Sequence, residues 1–357
     1  MTTTRRILAA RMVAALCGAA SVLAAGPAAS ARQDAGTNPG KVKVVTTLSV
    51  LRSLAQEIGG DLVEADELAD PAQDPHFVQP RPTLMKKAHD ADLFIEIGLQ
   101  LELWAQKVVD GAGNPKIQPG QPGRVVATEG IATLEQPQTL SREWGDVHPY
   151  GNPHVWLDPV RTRKMAANIA AGLERVDPAH KDAYEANLKS FQDRIDRALF
   201  GDELVKQVGA TKLCRLCEQN QLDDYLVKKE LVPKLGGWLA KAAALRGRPI
   251  VTYHKTFIYF ANRFGLTIPL EIEEKPGIPP SAKHTDSVVQ RVQENKVRTI
   301  VHENYYPRAA SDFVAEKTGA KVVPVPIDLA PTEGASDYFQ FIDLLLDRIL
   351  ASERATG

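Results

Sequence analysis

The sequence has few cysteines, no basic stripe and no long apolar run beyond its N-terminal region. Three cysteines occur among 357 residues, which excludes a small fold held together by many disulfides. Lysine and arginine number 43 against 44 acidic residues, without a basic cluster, so nucleic acid is not expected as a partner. No run of 18 or more apolar residues follows residue 31, and no membrane-spanning helix is predicted there.

The N-terminal region is typical of a secretory signal peptide. Arg5, Arg6 and Arg11 precede an apolar run at residues 12–25, and Ala-Ser-Ala at 29–31 is a small-x-small cleavage site. Removal of this peptide takes away three of the 43 basic residues and none of the 44 acidic ones, which leaves a net charge of −4.

A lipoprotein is the alternative interpretation of the same region, because Cys17 lies within the apolar run. The large Leu16 directly before it fits a lipobox poorly. We therefore expect a signal peptide at residues 1–31, cleavage after residue 31, and a soluble periplasmic protein.

The other two cysteines, Cys214 and Cys217, are spaced C-x-x-C. A second pair of this kind is missing from the sequence, which disfavours a zinc knuckle. We expect a local disulfide or two idle thiols, and not a redox dithiol.

Both halves of the chain alternate strand-like and helix-like segments. Residues 41–48 are rich in β-branched side chains, residues 49–59 have helical periodicity, and residues 61–68 follow as a second strand. This start favours an α/β fold with parallel sheets. The second half repeats the alternation, with strands predicted at 248–252, 266–272, 297–302 and 321–325.

A long amphipathic helix separates the two halves. Asp177 is its predicted N-cap and Pro178 its first helical residue, and it continues to about residue 200. We predict an α/β protein of two lobes, each a parallel β-sheet flanked by helices. The lobes cover residues 41–176 and 201–357, and the connecting helix covers 177–200.

Three histidines and one aspartate occupy similar places in the two halves. His76 follows a proline in a loop after a strand, and His154 lies in the stretch Asn-Pro-His-Val-Trp-Leu-Asp-Pro at 152–159, directly before a helix. His254 ends a strand, and Asp328 follows the last strand. Open α/β sheets bind their ligands at the carboxyl ends of strands.

Three imidazoles and one carboxylate make a plausible site for a divalent metal, because neutral imidazole suits zinc and one carboxylate oxygen completes a tetrahedron. The gaps of 78, 100 and 74 residues are unlike those of a zinc finger. The four groups would meet only in the cleft between the lobes. Closing the cleft would complete the coordination shell and opening it would dismantle the shell, which suits a carrier. For each histidine alone, a structural hydrogen bond is the alternative.

Four stretches resemble the periplasmic metal-binding proteins of zinc and manganese ABC importers. They are D-P-H at 74–76, N-P-H-V-W-L-D-P at 152–159, Y-H-K-T-F-x-Y-F-A-x-R-F-G-L at 253–266, and V-V-P-V-P-I before Asp328. The resemblance extends from about residue 42 to residue 349. It implies two α/β lobes joined by one rigid helix, and delivery of the metal to a membrane permease. The metal ligands that it implies are His76, His154, His254 and Asp328.

Two features depart from that family. The segment at 201–237 is longer than the family leads us to expect. The His- and Asp-rich loop of many zinc-binding members is missing between residues 105 and 150, apart from Asp146 and His148. We interpret His148 as a loop histidine, and assistance in metal capture is the alternative.

We expect the metal to be zinc, with manganese or iron as the alternative. Three nitrogens and one oxygen favour zinc, because manganese prefers oxygen-rich sites. The resemblance adds that manganese-binding members carry a second carboxylate where this chain has His254. The predicted protein is thus a monomeric solute-binding protein and not an enzyme. A metal-dependent adhesin and a zinc hydrolase with Glu303 as its base are the competing hypotheses.

Overall fold

Two parallel β-sheets organise the protein in a computed structural model that describes residues 40–137, 148–275 and 277–354. The predicted signal peptide at residues 1–31 and Asp146 lie outside these ranges. Within the described ranges the structure confirms the predicted α/β fold with two lobes.

The first sheet has the strand order β2-β1-β3-β4, and all its neighbouring strands are parallel. In the described part of this half the chain forms four α-helices, and α1 and α4 pack against its strands. The strands are β1 (Val42–Thr46), β2 (Val63–Glu67), β3 (Leu93–Glu96) and β4 (Arg124–Val126), and the helices are α1 (Ser49–Gly59), α2 (Pro82–His89), α3 (Ala105–Ala112) and α4 (Pro159–Val176).

The long helix α5 (Lys181–Phe200) follows, and at 20 residues it is about 30 Å long. It packs against α1 and α4 on one side and against a short helix of the second half on the other. The predicted start of the helix was wrong, because Pro178–His180 forms a separate 3-10 turn. The Asp177 carboxylate does not cap the helix and instead accepts hydrogen bonds from the His180 ring and the Tyr184 hydroxyl, at 2.7 and 2.6 Å.

The second sheet has the parallel strand order β5-β6-β7. The chain reaches it through α6 (Asp202–Val208), α7 (Ala210–Glu218), α8 (Leu222–Lys228) and α9 (Gly237–Lys241). The sheet and its helices are β5 (Ile250–Thr252), α10 (Ile258–Phe264), α11 (Ala282–Glu294), β6 (Thr299–Glu303), α12 (Ala309–Thr318), β7 (Lys321–Val325) and α13 (Tyr338–Arg354).

The strand predicted at 266–272 does not form. This segment makes isolated parallel bridges at Thr267 and Glu271 instead of a continuous ladder. Pro269 lies in its middle and has no N–H to donate, which explains why pairing is interrupted there.

The segment that begins at Gly201 leaves α5 and returns to the same point. The backbone N–H of Gly236 donates to the carbonyl of Phe200 at 2.8 Å. A Cβ atom on Gly201, whose φ is 82°, would lie 2.6 Å from the Cα of Gly236. Only glycine fits this close approach, so the two ends of the helical insertion α6–α8 meet.

Both cysteines of the C-x-x-C pair lie buried on α7 and are free thiols. The Cys214 thiol donates to an oxygen of Asp196 at 3.5 Å. Burial raises the pKa of both thiols, that of Cys217 to about 11. Of the two predicted states, idle thiols match the structure and a local disulfide does not, and protonated thiols are poor nucleophiles.

A buried ion pair joins α4 and α10, the helices that follow His154 and His254. Asp158 is fully buried and caps α4 by accepting from the N–H of Val160 at 3.0 Å. The Arg263 guanidinium, in α10, donates to both carboxylate oxygens of Asp158 at 2.7 and 2.9 Å. The Arg161 guanidinium contacts the same carboxylate. Two guanidinium groups thus compensate the buried charge, and the pKa of Asp158 is lowered despite its burial.

We predict that Arg263→Met lowers the free energy of unfolding by about 3 kcal/mol, because it leaves a buried carboxylate with only Arg161 as charged partner. Urea denaturation followed by circular dichroism measures the change. Arg308→Met is the matched control, since Arg308 forms an exposed pair with Asp312 and its loss should cost less than about 1 kcal/mol. Equal losses in the two variants would contradict this role of the ion pair.

Candidate metal centre

Three of the predicted ligands come together from the two lobes. His76 lies in a 3-10 turn that begins eight residues after β2, His154 directly precedes a second such turn before α4, and His254 comes two residues after β5. One ring nitrogen from each lies within 4.8 Å of the other two. The ring centroids are 5.3 to 5.7 Å apart. Imidazoles that bind one tetrahedral zinc at about 2 Å place their centroids about 5 Å apart, so the spacing fits a shared metal ion.

The two histidines of the first lobe are held by the same local motif, Asx-Pro-His. An oxygen of Asp74 accepts hydrogen bonds from the backbone N–H and the ring Nδ1 of His76, at 2.9 and 2.7 Å. The amide oxygen of Asn152 does the same for His154, at 3.0 and 2.9 Å. Since both oxygens are acceptors, each Nδ1 carries the proton and each Nε2 keeps its lone pair. Both Nε2 atoms are buried and have no hydrogen-bond partner among the described residues.

His254 is oriented by a residue that is distant in sequence. Its Nδ1 lies 2.5 Å from a carboxylate oxygen of Glu273, whose other oxygen accepts from the N–H of Gly277 at 2.9 Å. Histidine ligands of metals commonly donate their second nitrogen to a carboxylate in this way. The three rings thus share one arrangement, in which an oxygen holds Nδ1.

The pKa values of His154 and His254 are shifted in opposite directions. Burial and the neighbouring imidazoles keep the pKa of His154 well below its ordinary value. Burial also lowers the pKa of His254, but the hydrogen bond and the charge of Glu273 outweigh it, so that this pKa is raised. Glu303 also acts on His254, and burial raises the pKa of that carboxyl to about 7. The carboxylates of Asp74, Glu273 and Glu303 together favour a cation among the rings.

The groups that orient the first-lobe histidines also contact the second lobe. The Tyr306 hydroxyl donates to the second oxygen of Asp74 at 3.1 Å. The side-chain N–H of Asn152 donates to the carbonyl of Lys255, the neighbour of His254, at 2.6 Å. Each contact therefore fixes a predicted ligand of the first lobe relative to the second lobe.

Two tryptophans support the loops that carry the site. The indole N–H of Trp104 donates to the carbonyl of Pro75 at 2.7 Å, directly before His76. The indole N–H of Trp156 donates to the carbonyl of Ile327 at 2.8 Å, directly before Asp328.

Asp328, the fourth predicted ligand, lies at the start of α1 and outside the group of three histidines found among the described residues. One carboxylate oxygen accepts from the N–H groups of Val50 and Leu329 at 2.7 and 2.8 Å, and the other accepts from Ser49 at 2.8 Å. Burial raises its pKa although these donors oppose the shift. Its role as a ligand stays a prediction.

His148 lies beside this group. Its ring centroid is 5.4 Å from that of His76, and its Nε2 is buried without a hydrogen-bond partner in the described part of the chain. Burial, together with the nearby His76 and His254, lowers its pKa to about 3. The ring is therefore neutral at physiological pH, as a metal ligand must be.

Some supporting residues carried a signal in the sequence and others did not. The shared pattern Asx-Pro-His marks Asp74 and Asn152, since such side chains commonly bond the backbone two residues on. Glu273 and Tyr306 reach the site only through the folding of the second lobe, and nothing in their local sequence indicates it.

Comparison with known proteins places the chain in a family. A model of the ZnuA family, described as zinc-uptake complex component A, periplasmic, matches residues 44–200 and 228–352. The match leaves out residues 201–227, most of the helical insertion. Within the described ranges, every helix falls short of the length and apolar character that a membrane crossing requires.

Individual relatives bind different metals. The iron-binding protein YfeA of Yersinia pestis is 28% identical over 298 residues, which cover 82% of this chain and 79% of the relative. The manganese ABC transporter substrate-binding lipoprotein PsaA of Streptococcus anginosus is 26% identical over 92% of this chain and 94% of its own.

Among solved structures, the periplasmic zinc-binding protein TroA of Treponema pallidum has a TM-score of 0.65, with 18% identity, over 88% of this chain and 99% of its own. That likeness supports the fold, and the family match covers most of both lobes. The chain therefore belongs to the ZnuA family.

Proposed function

We propose that this chain is an exported solute-binding protein that captures a divalent transition metal ion between its lobes and presents it to an ABC permease. Support comes from the family match, from the predicted signal peptide and from relatives that include an ABC transporter substrate-binding lipoprotein. The ion is the cargo, and the chain's own contribution is to bind and release it.

One observation carries the proposal: ring nitrogens from three histidines on two lobes converge within 4.8 Å. The Nδ1 of every ring is held by an oxygen, and Nε2 of His76 and of His154 is buried without a partner in the described residues. A buried acceptor without a partner is unfavourable in the metal-free protein. A bound cation supplies the missing interaction.

Zinc is the metal that these donors favour. Three imidazole nitrogens and one carboxylate oxygen, from Asp328, make a tetrahedral set of the kind that zinc prefers. Among the backbone donors, the second oxygen of Asp328 accepts only from Ser49, so it retains a lone pair that can bind an ion. Manganese and iron are the alternatives, because relatives that bind them are similar to this chain over most of its length.

A hydrolase is less well supported. Glu303, the candidate general base, is fully buried at the end of β6, and burial raises its pKa to about 7. A base must reach the water molecule that it activates. Its position beside His254 suits a role in adjusting the charge on that ring instead.

We predict that His76→Ala, His154→Ala and His254→Ala each weaken zinc binding by more than about 100-fold, which is beyond the loss expected for a merely supporting partner. Titration against a competing chelator measures the affinity, and circular dichroism checks that each variant is folded. His89→Ala is the control, because the side chain of His89 is 64% exposed and lies outside the group. A variant that binds like the wild type would remove its residue from the ligand set.

The pH dependence of binding is expected to report on His254. Its pKa is raised above the ordinary histidine pKa of about 6.5, so the ring keeps its proton to a higher pH. Zinc must displace this proton. Affinity should therefore fall as the pH drops below that raised pKa, by about tenfold per pH unit for each proton displaced. Because the pKa of His154 is lowered, protonation of that ring should matter only in more acidic solution.

Glu273→Gln tests whether Glu273 is the cause of this pH dependence, because the substitution removes the charge that raises the pKa of His254. The onset of the loss in affinity should move to lower pH. Zinc titrations between about pH 5 and 8 bracket the ordinary histidine pKa and locate the onset, and Glu316→Gln, at an exposed site, is the control. An onset that does not move in Glu273→Gln would contradict the assignment.

We predict that the apo-protein retains zinc when equimolar zinc and manganese compete, since nitrogen-rich sites favour zinc. Metal analysis after gel filtration measures the ratio.

The double variant His254→Glu/Glu273→Gln should move selectivity toward manganese. The second change is needed because a new carboxylate at position 254 would otherwise face Glu273. Manganese retained by the wild type would refute the zinc assignment, and no shift in the variant would mean that geometry sets the preference.

A further inference from the structure

The side chain and the carbonyl of Asn152 contact both lobes. The amide oxygen accepts from the backbone N–H and the ring Nδ1 of His154 at 3.0 and 2.9 Å. The amide nitrogen donates to the carbonyl of Lys255 at 2.6 Å and to a carboxylate oxygen of Glu135 at 3.0 Å. The backbone carbonyl of Asn152 accepts from the hydroxyl of Tyr259 at 2.7 Å. Lys255 and Tyr259 belong to the second lobe, so this residue of the first lobe is held from both sides.

The polarity of these partners leaves one orientation for the amide. A backbone N–H can only donate and a backbone carbonyl can only accept, so the amide oxygen must face His154 and the amide nitrogen must face Lys255. The oxygen also faces Nδ1 of His154, which therefore carries the proton while Nε2 keeps its lone pair. Asn152 and His154 are only 6% and 1% exposed, so water has little access to take over these bonds. The second lobe thus helps to select the form of His154 that can bind a metal.

The corresponding residue before His76 is an aspartate, and its partner in the second lobe has the opposite polarity. One oxygen of Asp74 holds Nδ1 of His76 at 2.7 Å, and the other accepts from the hydroxyl of Tyr306 at 3.1 Å. A carboxylate suits this position because both neighbours donate. The outward neighbours of Asn152 are a carbonyl and a carboxylate, which both accept. Only an amide serves a donor on one side and acceptors on the other.

We propose that Asn152 is a positioning residue that makes the metal-binding form of His154 depend on contact with the second lobe. This inference rests on the proposed function. While the lobes are in contact, the carbonyl of Lys255 and the hydroxyl of Tyr259 hold Asn152 so that its amide oxygen faces the ring. Without these contacts the side chain is free to rotate, and His154 loses the acceptor that fixes its tautomer. The amide is therefore part of the site, although Asn152 is not itself a proposed ligand.

Asn152→Asp tests this role, because charge and polarity predict opposite results. By its charge alone, a carboxylate beside His154 would attract the cation and strengthen zinc binding. The same carboxylate would face two acceptors, the carbonyl of Lys255 and the carboxylate of Glu135, and repulsion between these oxygens would turn it away from the ring. We expect zinc affinity to fall by at least about tenfold, the loss typical when the partner of a metal-binding histidine is removed.

Glu135→Gln supplies a rescue. In Asn152→Asp/Glu135→Gln the glutamine amide can donate to the new carboxylate, so affinity should recover by about threefold or more, which corresponds to one hydrogen bond. Glu135→Gln alone should bind zinc like the wild type, because the glutamine oxygen still accepts from Asn152. Tyr259→Phe removes the hydroxyl that holds the Asn152 carbonyl and should also weaken binding. Tyr225→Phe, in the helical insertion, is its matched control.

Titration of zinc against a competing chelator measures the affinities, and circular dichroism checks that each variant is folded. Nitrogen-15 NMR of the histidine rings of the apo-protein, at a pH above the ordinary histidine pKa of about 6.5, shows which nitrogen of His154 carries the proton. His154→Gln assigns the signal. This measurement needs no change at Asn152, and we expect the proton on Nδ1.

Folded Asn152→Asp that binds zinc as tightly as the wild type, or more tightly, would overturn the positioning role. So would a double variant that binds no better than Asn152→Asp, or a proton on Nε2 of His154 in the wild type. A wild-type protein that binds none of zinc, manganese and iron would overturn the proposed function itself. That outcome is visible before any variant is compared.

Discussion

The buried ion pair between Asp158 and Arg263 is the constraint on which the convergence of the three histidines depends. Asp158 lies four residues after His154 and begins α4, and Arg263 lies nine residues after His254 within α10. One bidentate contact thus joins the helices that follow a proposed ligand of each lobe. Ligands on two sheets can share an ion only if the sheets keep a fixed distance, because metal–nitrogen bonds tolerate little variation in length. The buried ion pair is one contact that restrains this distance, because it joins an element of each lobe.

Further hydrogen bonds between the lobes also hold them together, and these bonds bear on how a metal ion is exchanged. The Tyr259 hydroxyl donates to the carbonyl of Asn152 at 2.7 Å, and the Tyr338 hydroxyl donates to the carbonyl of Trp156 at 3.0 Å. The sequence suggested a cleft that opens and closes around the ion. Opening it would break these bonds together with the buried ion pair, which is costly.

Features that depend on neighbouring residues in the sequence could be predicted, and features that depend on contacts between distant residues could not. Hydrophobic periodicity and turn signals located β1, α1 and β2 to within two residues, because these elements depend on local pattern. The three histidines were identified for a similar reason, since each follows a strand or precedes a helix. Asp177 had the sequence of a helix cap but bonds to Tyr184 instead, and Glu273 lies 19 residues from the ring that it orients. Asp177 thus has local partners that compete with the N–H groups of the helix, whereas the pairing of Glu273 with His254 is a tertiary contact that no local pattern encodes.

The helical insertion between Gly201 and Gly236 is a place where proteins of this fold can differ in length. The two points are in contact, so a chain that lacks the three helices can continue from one to the other without moving α5 or α9. The match to the family model breaks between residues 200 and 228, within this segment. The insertion buries its own apolar side chains against α4 and α5, including Leu204 and Leu213, so its presence thickens the molecule on the side of these two helices. A layer of this kind can thus be added to the fold at this point without displacing the ends of α5 and α9.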